Sequence, residues 1–288
     1  MRSLLLLLIC LAYGQQALAW GKTGHRVIGQ IAEHYLSTEA RLAMAELLVN
    51  EGLAEASTWA DFMRADPDEF LQQTANPWHY VTVPPGQQYA DVGAPEQGDA
   101  YTALQRFSST LRDADSGHEE KQLALRFIVH IIADLHQPLH VGNGTDRGGN
   151  DFDVVYFGQE SNLHRVWDSQ IIDHQKLSFS EMAAWLQQKI TAEQFHAWNN
   201  ADALVWIAES AELREQIYPT DVRLSWDYDY RWLPLIHQRL AQAGVRTAAY
   251  LNALFASDVG EAASGEVEHY HQSKQQLLPT DGEAADDG

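Results

Sequence analysis

"HIIADLHQPLH", residues 130 to 140, sets three histidines and an aspartate into an otherwise apolar stretch. Apolar residues from Leu123 to Leu135 recur in steps of three and four, the period of an α-helix. On such a helix His130 and Asp134 lie one turn apart on one face, so an imidazole and a carboxylate can grip the same ion. Pro138 cannot continue the helix, so it ends it and turns His140 back toward the same region. His136 and His140 also stand at ligand spacing, but the proline between them argues against a regular helical pair.

The same period recurs in Val27 to Tyr35, Arg41 to Leu48, Tyr101 to Leu111, Phe179 to Ile190, Ala201 to Ile217, Tyr230 to Ala243 and Thr247 to Phe255. Strand signals are thin. "DFDVVYFG" (151 to 158) and "NLHRVWD" (162 to 168) could form one hairpin around Gly158 to Ser161. The pattern predicts a mainly α, single-domain fold with at most a small β-hairpin. Turn formers crowd residues 83 to 98 and 141 to 150, and loops of that length in a compact domain are often functional.

Residues 1 to 19 carry one arginine, the apolar run Leu4 to Leu11 and then Ala17-Leu18-Ala19, a small-x-small pattern expected to be cut by signal peptidase. The run is shorter than the roughly 20 residues a spanning helix needs. An exported protein, periplasmic or secreted, is therefore expected to begin at Trp20, with a domain over 20 to 262 and an acidic, disordered tail over 263 to 288. The only cysteine, Cys10, lies in the leader, so no disulfide is available and core packing or metals must stabilise the fold.

The formal net charge is −21 at pH 7. A protein that binds phosphates usually presents a basic face. Either the ligand is not anionic or bound cations supply the attraction. "GKT" at 21 to 23 is no phosphate loop, because position 16 is Gln where that motif needs glycine.

His164 and Asp168 repeat the spacing of His130 and Asp134, and they share a face whether the segment is strand or helix. Asp61 in "WADFMR", His79 in "PWHY" and His25 add to the set. Five histidines and three aspartates exceed what one four-coordinate ion can use. Nitrogen and carboxylate donors without sulfur suit zinc, so the count implies a cluster able to polarise a phosphoryl group and activate water.

With "WGKTGH", "WADFMR", "WHY", "HIIADLHQPLH" and "NLHRVWD" in that order and spacing, the chain resembles the zinc-dependent single-strand-specific nucleases of the S1/P1 family, in a bacterial-type form without the family's disulfides. The resemblance covers nearly all of residues 20 to 260. It implies three Zn2+ ions: one held by Asp61, His79, His130 and Asp134, a second by His25, Asp134 and the α-amine and carbonyl of Trp20, and a third by His140, His164 and Asp168. It also implies in-line hydrolysis of single-stranded DNA and RNA to 5′-phosphorylated products, with catalytic roles for Asp61, Arg64 and Asp134. Arg64 matches a basic residue near the phosphate, and Tyr80 the aromatic on which an unpaired base stacks. Thr82 stands where many members carry Asp or Asn, which bears on base preference and on 3′-nucleotidase activity. The expected partners are single-stranded DNA, RNA and nucleotides, with no stable membrane association and a monomeric state. Asn143-Gly144-Thr145 is a glycosylation sequon, relevant only in a eukaryotic secretory pathway.

Two alternatives share parts of this pattern. A zinc-dependent phospholipase C resembles the family in fold and metal centre, but usually carries Glu at the position of Asp168. A non-catalytic secreted zinc-binding protein would present His-rich runs, and here "HYH" at 269 to 271 is the only tight pair.

Overall fold

The computed structural model describes residues 20–256; the leader at 1 to 19 and the tail at 263 to 288 lie outside the described residues. The first half of the chain forms α1 (Lys22–Tyr35), α2 (Thr38–Leu48), α3 (Leu53–Ala56), α4 (Trp59–Met63), α5 (Tyr89–Val92), α6 (Ala100–Arg112) and α7 (His118–Leu135). The second half adds α8 (Leu163–Arg165), α9 (Ile171–His174), α10 (Phe179–Gln187), α11 (Ala192–Trp198), α12 (Ala203–Ile217) and α13 (Trp226–Phe255). Short strands β1 (Val81–Thr82), β2 (Val141–Gly142), β3 (Asp153–Tyr156), β4 (Gln159–Asn162) and β5 (Arg223–Leu224) lie between them. The fold is mainly α, as the periodicity predicts.

α7 runs through the centre. From Phe127 to Leu135 every residue is buried, with apolar side chains facing the core and His130 and Asp134 together on the face left for the site. The helix ends at Leu135, and Pro138 opens a 3-10 turn, Pro138–His140, that carries His140 back as expected. Two large apolar clusters flank this axis. One gathers Phe107, Phe127, Ile128 and Trp206; the other joins Trp20, Val27, Ile28, Trp167, Ile172 and Leu240.

α13 is one 30-residue helix, not the two segments read from its pattern. Gly244 interrupts the apolar period there, and it serves packing: a Cβ would lie 2.5 Å from Ile31 Cγ2, so the glycine lets α13 approach α1 closely. Buried Arg239 and Arg246 on α13 converge on Glu209 of α12, with Arg239 Nη1 and Arg246 Nη1 each 2.6 Å from Glu209 Oε2.

The hairpin is tighter than predicted. β3 and β4 pair antiparallel with Tyr156 opposite Gln159, so Phe157 and Gly158, both at positive φ, make a two-residue turn. Residues 163 to 168 are not part of its second strand, which ends at Asn162. Asn162 accepts the Arg165 N–H on its side chain at 2.8 Å and so caps a helix that continues through a π turn, Val166–Gln170. β5 adds parallel to β3, and β1 pairs parallel with β2.

Candidate metal centre

Several separate local devices deliver the cluster residues. α1 carries His25 in its first turn, α4 carries Asp61, and a 3-10 turn over Asn76–His79 ends on His79. α7 supplies His130 and Asp134 one turn apart, α8 supplies His164, and the π turn supplies Asp168. All eight side chains are buried. Three groups of donor atoms converge: His25, His130 and Asp134; Asp61, His79 and His130; His140, His164 and Asp168.

Asp134 joins the first two groups. Its Oδ1 faces His25 Nε2 at 3.3 Å, while its Oδ2 faces His130 Nε2 at 3.1 Å and His79 Nδ1 at 3.3 Å. In the third group His164 Nε2 lies 2.9 Å from Asp168 Oδ2 and His140 Nε2 lies 3.7 Å from Asp168 Oδ1. Trp20 is fully buried in the core cluster beside α1, and the Gly21 N–H donates to the Asp168 carbonyl at 2.6 Å.

Second contacts fix the imidazoles. His130 Nδ1 donates to the Ser57 carbonyl at 2.7 Å, His140 Nδ1 to the His79 carbonyl at 2.6 Å, and His164 Nδ1 to the Gly148 carbonyl at 2.6 Å. Each bond places a proton on Nδ1 and turns Nε2 inward, where its lone pair is free to bind a metal once that nitrogen is deprotonated. Gly148 has φ +63°, and a Cβ there would strike the Leu139 carbonyl, so only glycine presents that carbonyl to His164. Gln137 is fully buried; its Nε2 donates to Asp168 Oδ1 at 2.6 Å and its Oε1 accepts the Leu139 N–H at 2.6 Å.

These atoms fit metal ions. His25 Nε2, both Asp61 oxygens, Asp134 Oδ1, His140 Nε2 and Asp168 Oδ2 are buried and make no hydrogen bond, a cost protein interiors normally avoid. His79 Nδ1 and His130 Nε2 lie only 2.8 Å apart, two ring nitrogens converging on one point. The donor set is imidazole and carboxylate without sulfur, which suits zinc.

Charge is distributed accordingly. Burial, helped by the neighbouring His130, lowers His25, and burial holds His79 down at about 4. Burial also opposes charge on His130 and His140, but carboxylates outweigh it: Asp134 and Asp61 raise His130, while Asp134 and Asp168 push His140 up to about 9. Burial would raise Asp134, yet His130 and His140 draw it well below the usual carboxylate range. The carboxylates thus favour positive charge at His130 and His140, the charge that metal cations would otherwise supply.

A cleft of about 510 Å³ opens over the cluster, lined by Arg64, Asn76, Tyr80, Thr82, His140 and the 142 to 150 loop. Arg64 Nη2 donates to Asn76 Oδ1 at 3.0 Å and Arg64 Nη1 lies 3.8 Å from Asp61 Oδ1. The Tyr80 ring is 46% exposed and Thr82 is exposed beside it. Arg64, Tyr80 and Thr82 therefore line the same cleft as His79, His140 and His164. His136 does not: its Nδ1 donates to the Ile132 carbonyl and its Nε2 faces Arg246, on the side of α7 away from the cluster.

Residues 20–256 match the S1/P1 Nuclease family. The chain belongs to the S1/P1 nuclease family. Endonuclease 2 of Arabidopsis thaliana is 32% identical over 267 residues, covering 82% of this chain and 90% of that one. Nuclease S1 of Aspergillus oryzae is 28% identical over 276 residues, covering 84% and 94%. Among solved structures, the alpha toxin from Clostridium absonum is similar at a TM-score of 0.43 and 17% identity, covering 83% of this chain and 66% of that one, a likeness too slight to weigh against the family match. As an S1/P1 nuclease the chain is a zinc-dependent phosphodiesterase, an endonuclease acting on single-stranded nucleic acid with a three-zinc centre.

Gln137, Gly148 and Asn76 were not singled out from sequence. Gln137 lies inside the opening motif, but an amide there has no spacing signature. The Gly148 and Ser57 carbonyls belong to the backbone and leave no side-chain signal at all.

Proposed function

We propose that Asp61, His79, His130 and Asp134 hold one zinc, His25 and Asp134 with the α-amine and carbonyl of Trp20 a second, and His140, His164 and Asp168 the third. The observation that carries this assignment is Asp134, whose two oxygens face two different histidine groups. When bound, zinc polarises a phosphodiester and brings a bound water's pKa to about 7.

The chain's own groups do the rest. Arg64, steadied by Asn76 and Asp61, offers guanidinium donors to the non-bridging phosphate oxygens and stabilises charge that grows there. Asp61 commits one oxygen to a ligand position and leaves the other to accept the proton of the attacking water. The exposed Tyr80 ring takes the face of a base, which requires that the base be unpaired; hence DNA and RNA single strands are both substrates. Thr82 offers a hydroxyl that donates or accepts at the base edge, so base preference is relaxed. Since Arg64 reads phosphate independently of Thr82, 3′-mononucleotides are included among the substrates.

The proposal includes export with cleavage after Ala19. Trp20 is buried against Gly24, the residue before His25 on α1, and the next residue is tied to the backbone of Asp168. An amine at that position, with an ordinary pKa of about 7.7 to 8, can deprotonate to bind zinc near neutral pH; an amide nitrogen cannot readily do so.

The test compares protein beginning at Trp20 with protein that retains an added Met before it. Mass spectrometry counts zinc, and hydrolysis is followed on denatured DNA, duplex DNA, RNA, 3′-adenosine monophosphate and phosphatidylcholine. Three zincs and cleavage confined to single strands and 3′-mononucleotides are expected from the first protein, and loss of one zinc and most activity from the second. A full zinc complement and full rate in the Met-extended protein would remove Trp20 from the centre. Release of diacylglycerol with DNA left intact would favour the phospholipase alternative.

A further inference from the structure

The cleft over the metal centre differs in charge from the chain as a whole. The sequence has 40 acidic residues against 19 lysines and arginines, yet two arginines and no Asp or Glu line the cleft. Arg64 stands at one donor group, its Nη1 3.8 Å from Asp61 Oδ1. Arg147 stands at another, because the next residue, Gly148, gives its carbonyl to His164 Nδ1 at 2.6 Å. Only Arg64 has a role in the hydrolysis proposed above.

Arg147 is held in the cleft against its own backbone preference. Its φ is +52°, in the left-handed region that glycine or asparagine occupies more readily than a long side chain. The loop is fixed in that shape by its own bonds. Tyr218 donates its hydroxyl to Asp146 Oδ2 at 2.6 Å, Asn143 Oδ1 accepts the Thr145 N–H at 2.8 Å, and the Arg147 carbonyl accepts from Asn150 Nδ2 at 2.9 Å. The Arg147 side chain, by contrast, is 76% exposed and pairs with Asp151, 3.4 Å from Nη1 and itself 50% exposed. An ion pair so open to water contributes little, so a phosphate oxygen can take the place of Asp151. A disfavoured backbone conformation under a cation at the edge of a substrate cleft points to a ligand contact.

We propose that Arg147 is a specificity-determining residue that binds the phosphate adjoining the scissile one and so favours strands over mononucleotides. Arg64 takes the phosphate that is cut; Arg147, at the other donor group, takes its neighbour and gives up Asp151 to do so. The forked donors of a guanidinium suit a phosphate, and a contact to the sugar-phosphate backbone reads no base, in keeping with the relaxed base preference. A 3′-mononucleotide has no second phosphate and gains nothing from Arg147. The inference rests on the nuclease assignment.

Steady-state hydrolysis by the zinc-loaded protein tests it on two thymidine oligonucleotides: TpT, which carries only a scissile phosphate, and TpTpT, which carries one more. Arg147→Gln should raise the ratio of KM for TpTpT to KM for TpT about fivefold, the scale of one exposed ion pair, with kcat for TpTpT little changed. Arg147→Lys should retain most of the preference, and Asp151→Asn, which removes the competing carboxylate, should shift the ratio the other way about twofold. Two TpTpT isomers with a single uncharged methylphosphonate linkage, one on each side, show which neighbouring phosphate is bound. In that isomer the wild-type protein should lose the factor that Arg147→Gln loses, and Arg147→Gln should lose nothing further. Wild-type protein indifferent to both methylphosphonates overturns the proposal without recourse to any variant. An equal rise of KM on TpT and TpTpT in Arg147→Gln overturns it too, since Arg147 would then serve the scissile phosphate or the loop alone. Absence of hydrolysis of either oligonucleotide by the wild-type protein would instead tell against the nuclease assignment.

Discussion

Gln137→Leu removes a side chain that touches no expected ligand atom of zinc except through Asp168. Gln137 Nε2 holds Asp168 Oδ1 at 2.6 Å and Oε1 holds the Leu139 N–H at 2.6 Å, at a position with no solvent exposure. Leucine nearly preserves the volume, so the loss is polar. A hydrogen bond to a carboxylate contributes about 1.5 to 3 kcal/mol, and an abandoned buried N–H costs about 1 to 3 kcal/mol more. The fold should therefore lose about 3 to 5 kcal/mol of stability, a large part of what a domain has. Zinc binding should suffer separately, because Asp168 loses the contact that aims it. Removal of such an outer contact typically weakens a metal about 10- to 100-fold, or about 1.4 to 2.7 kcal/mol.

The two effects are measured apart. Urea unfolding of the metal-free protein reads stability, and competition with a fluorescent chelator reads the affinity of the weakest zinc. The prediction is that one of three zincs becomes easier to remove while the other two hold. Gln137→Glu should be worse in the metal-free protein, since it sets a second carboxylate against Asp168. An unchanged zinc affinity in a destabilised Gln137→Leu protein would mean that Gln137 only packs, and would refute the claim that it orients Asp168.

His140 is pushed up to about 9, so at pH 7 its proton occupies the place a zinc must take. Affinity for that zinc should rise with pH up to about 9, with about one proton released on binding at pH 7; calorimetric titration in buffers of different ionisation heat reads it directly. In the metal-free protein the same raised pKa stabilises the fold fully below about 6.5, and that contribution is lost as pH rises through about 9. Glu209→Gln leaves Arg239 and Arg246 buried without their shared carboxylate and should cost about 3 kcal/mol in a denaturant melt, with zinc content unchanged. With a chain charge of −21 opposing a polyanion, kcat/KM on long strands should rise between low and moderate salt, while a dinucleotide changes little. A falling rate on long strands would mean that the local cations already dominate steering.

The helices were legible because their apolar spacing is set by the core they face. α7 is the clearest case: its buried face from Phe127 to Leu135 repeats the period that was visible in the residues alone, and Pro138 marks its end within three residues. Where the chain broke its pattern for a packing reason, the pattern misled. Gly244 looks like a break in α13, and is the point where α13 meets Ile31 of α1. Residues 163 to 168 look like strand, because nothing in "NLHRVWD" says that the Asn162 side chain, at the end of β4, will cap the turn that follows. The two-residue strands β1, β2 and β5 are shorter than any period can register.

The site divides along the same line. A metal ligand must be one of a few residue types and must meet its partners, so His130 with Asp134 and His164 with Asp168 leave a spacing that survives in sequence. What aims those ligands is freer. Two of the three inward-facing Nε2 atoms are set by Ser57 and Gly148, which contribute only carbonyl oxygens, and Gly148 is distinguished by having no side chain to obstruct Leu139. The third is set by the carbonyl of His79, itself in one of the three donor groups, so one turn both brings a ring nitrogen to that group and orients His140 in another. Asp134 reinforces that coupling, since its Oδ1 also lies 3.8 Å from His140 Nδ1 while it faces His25 and His130. The centre is therefore one interlocked unit, and loss of zinc at any one group should disturb the geometry of the others.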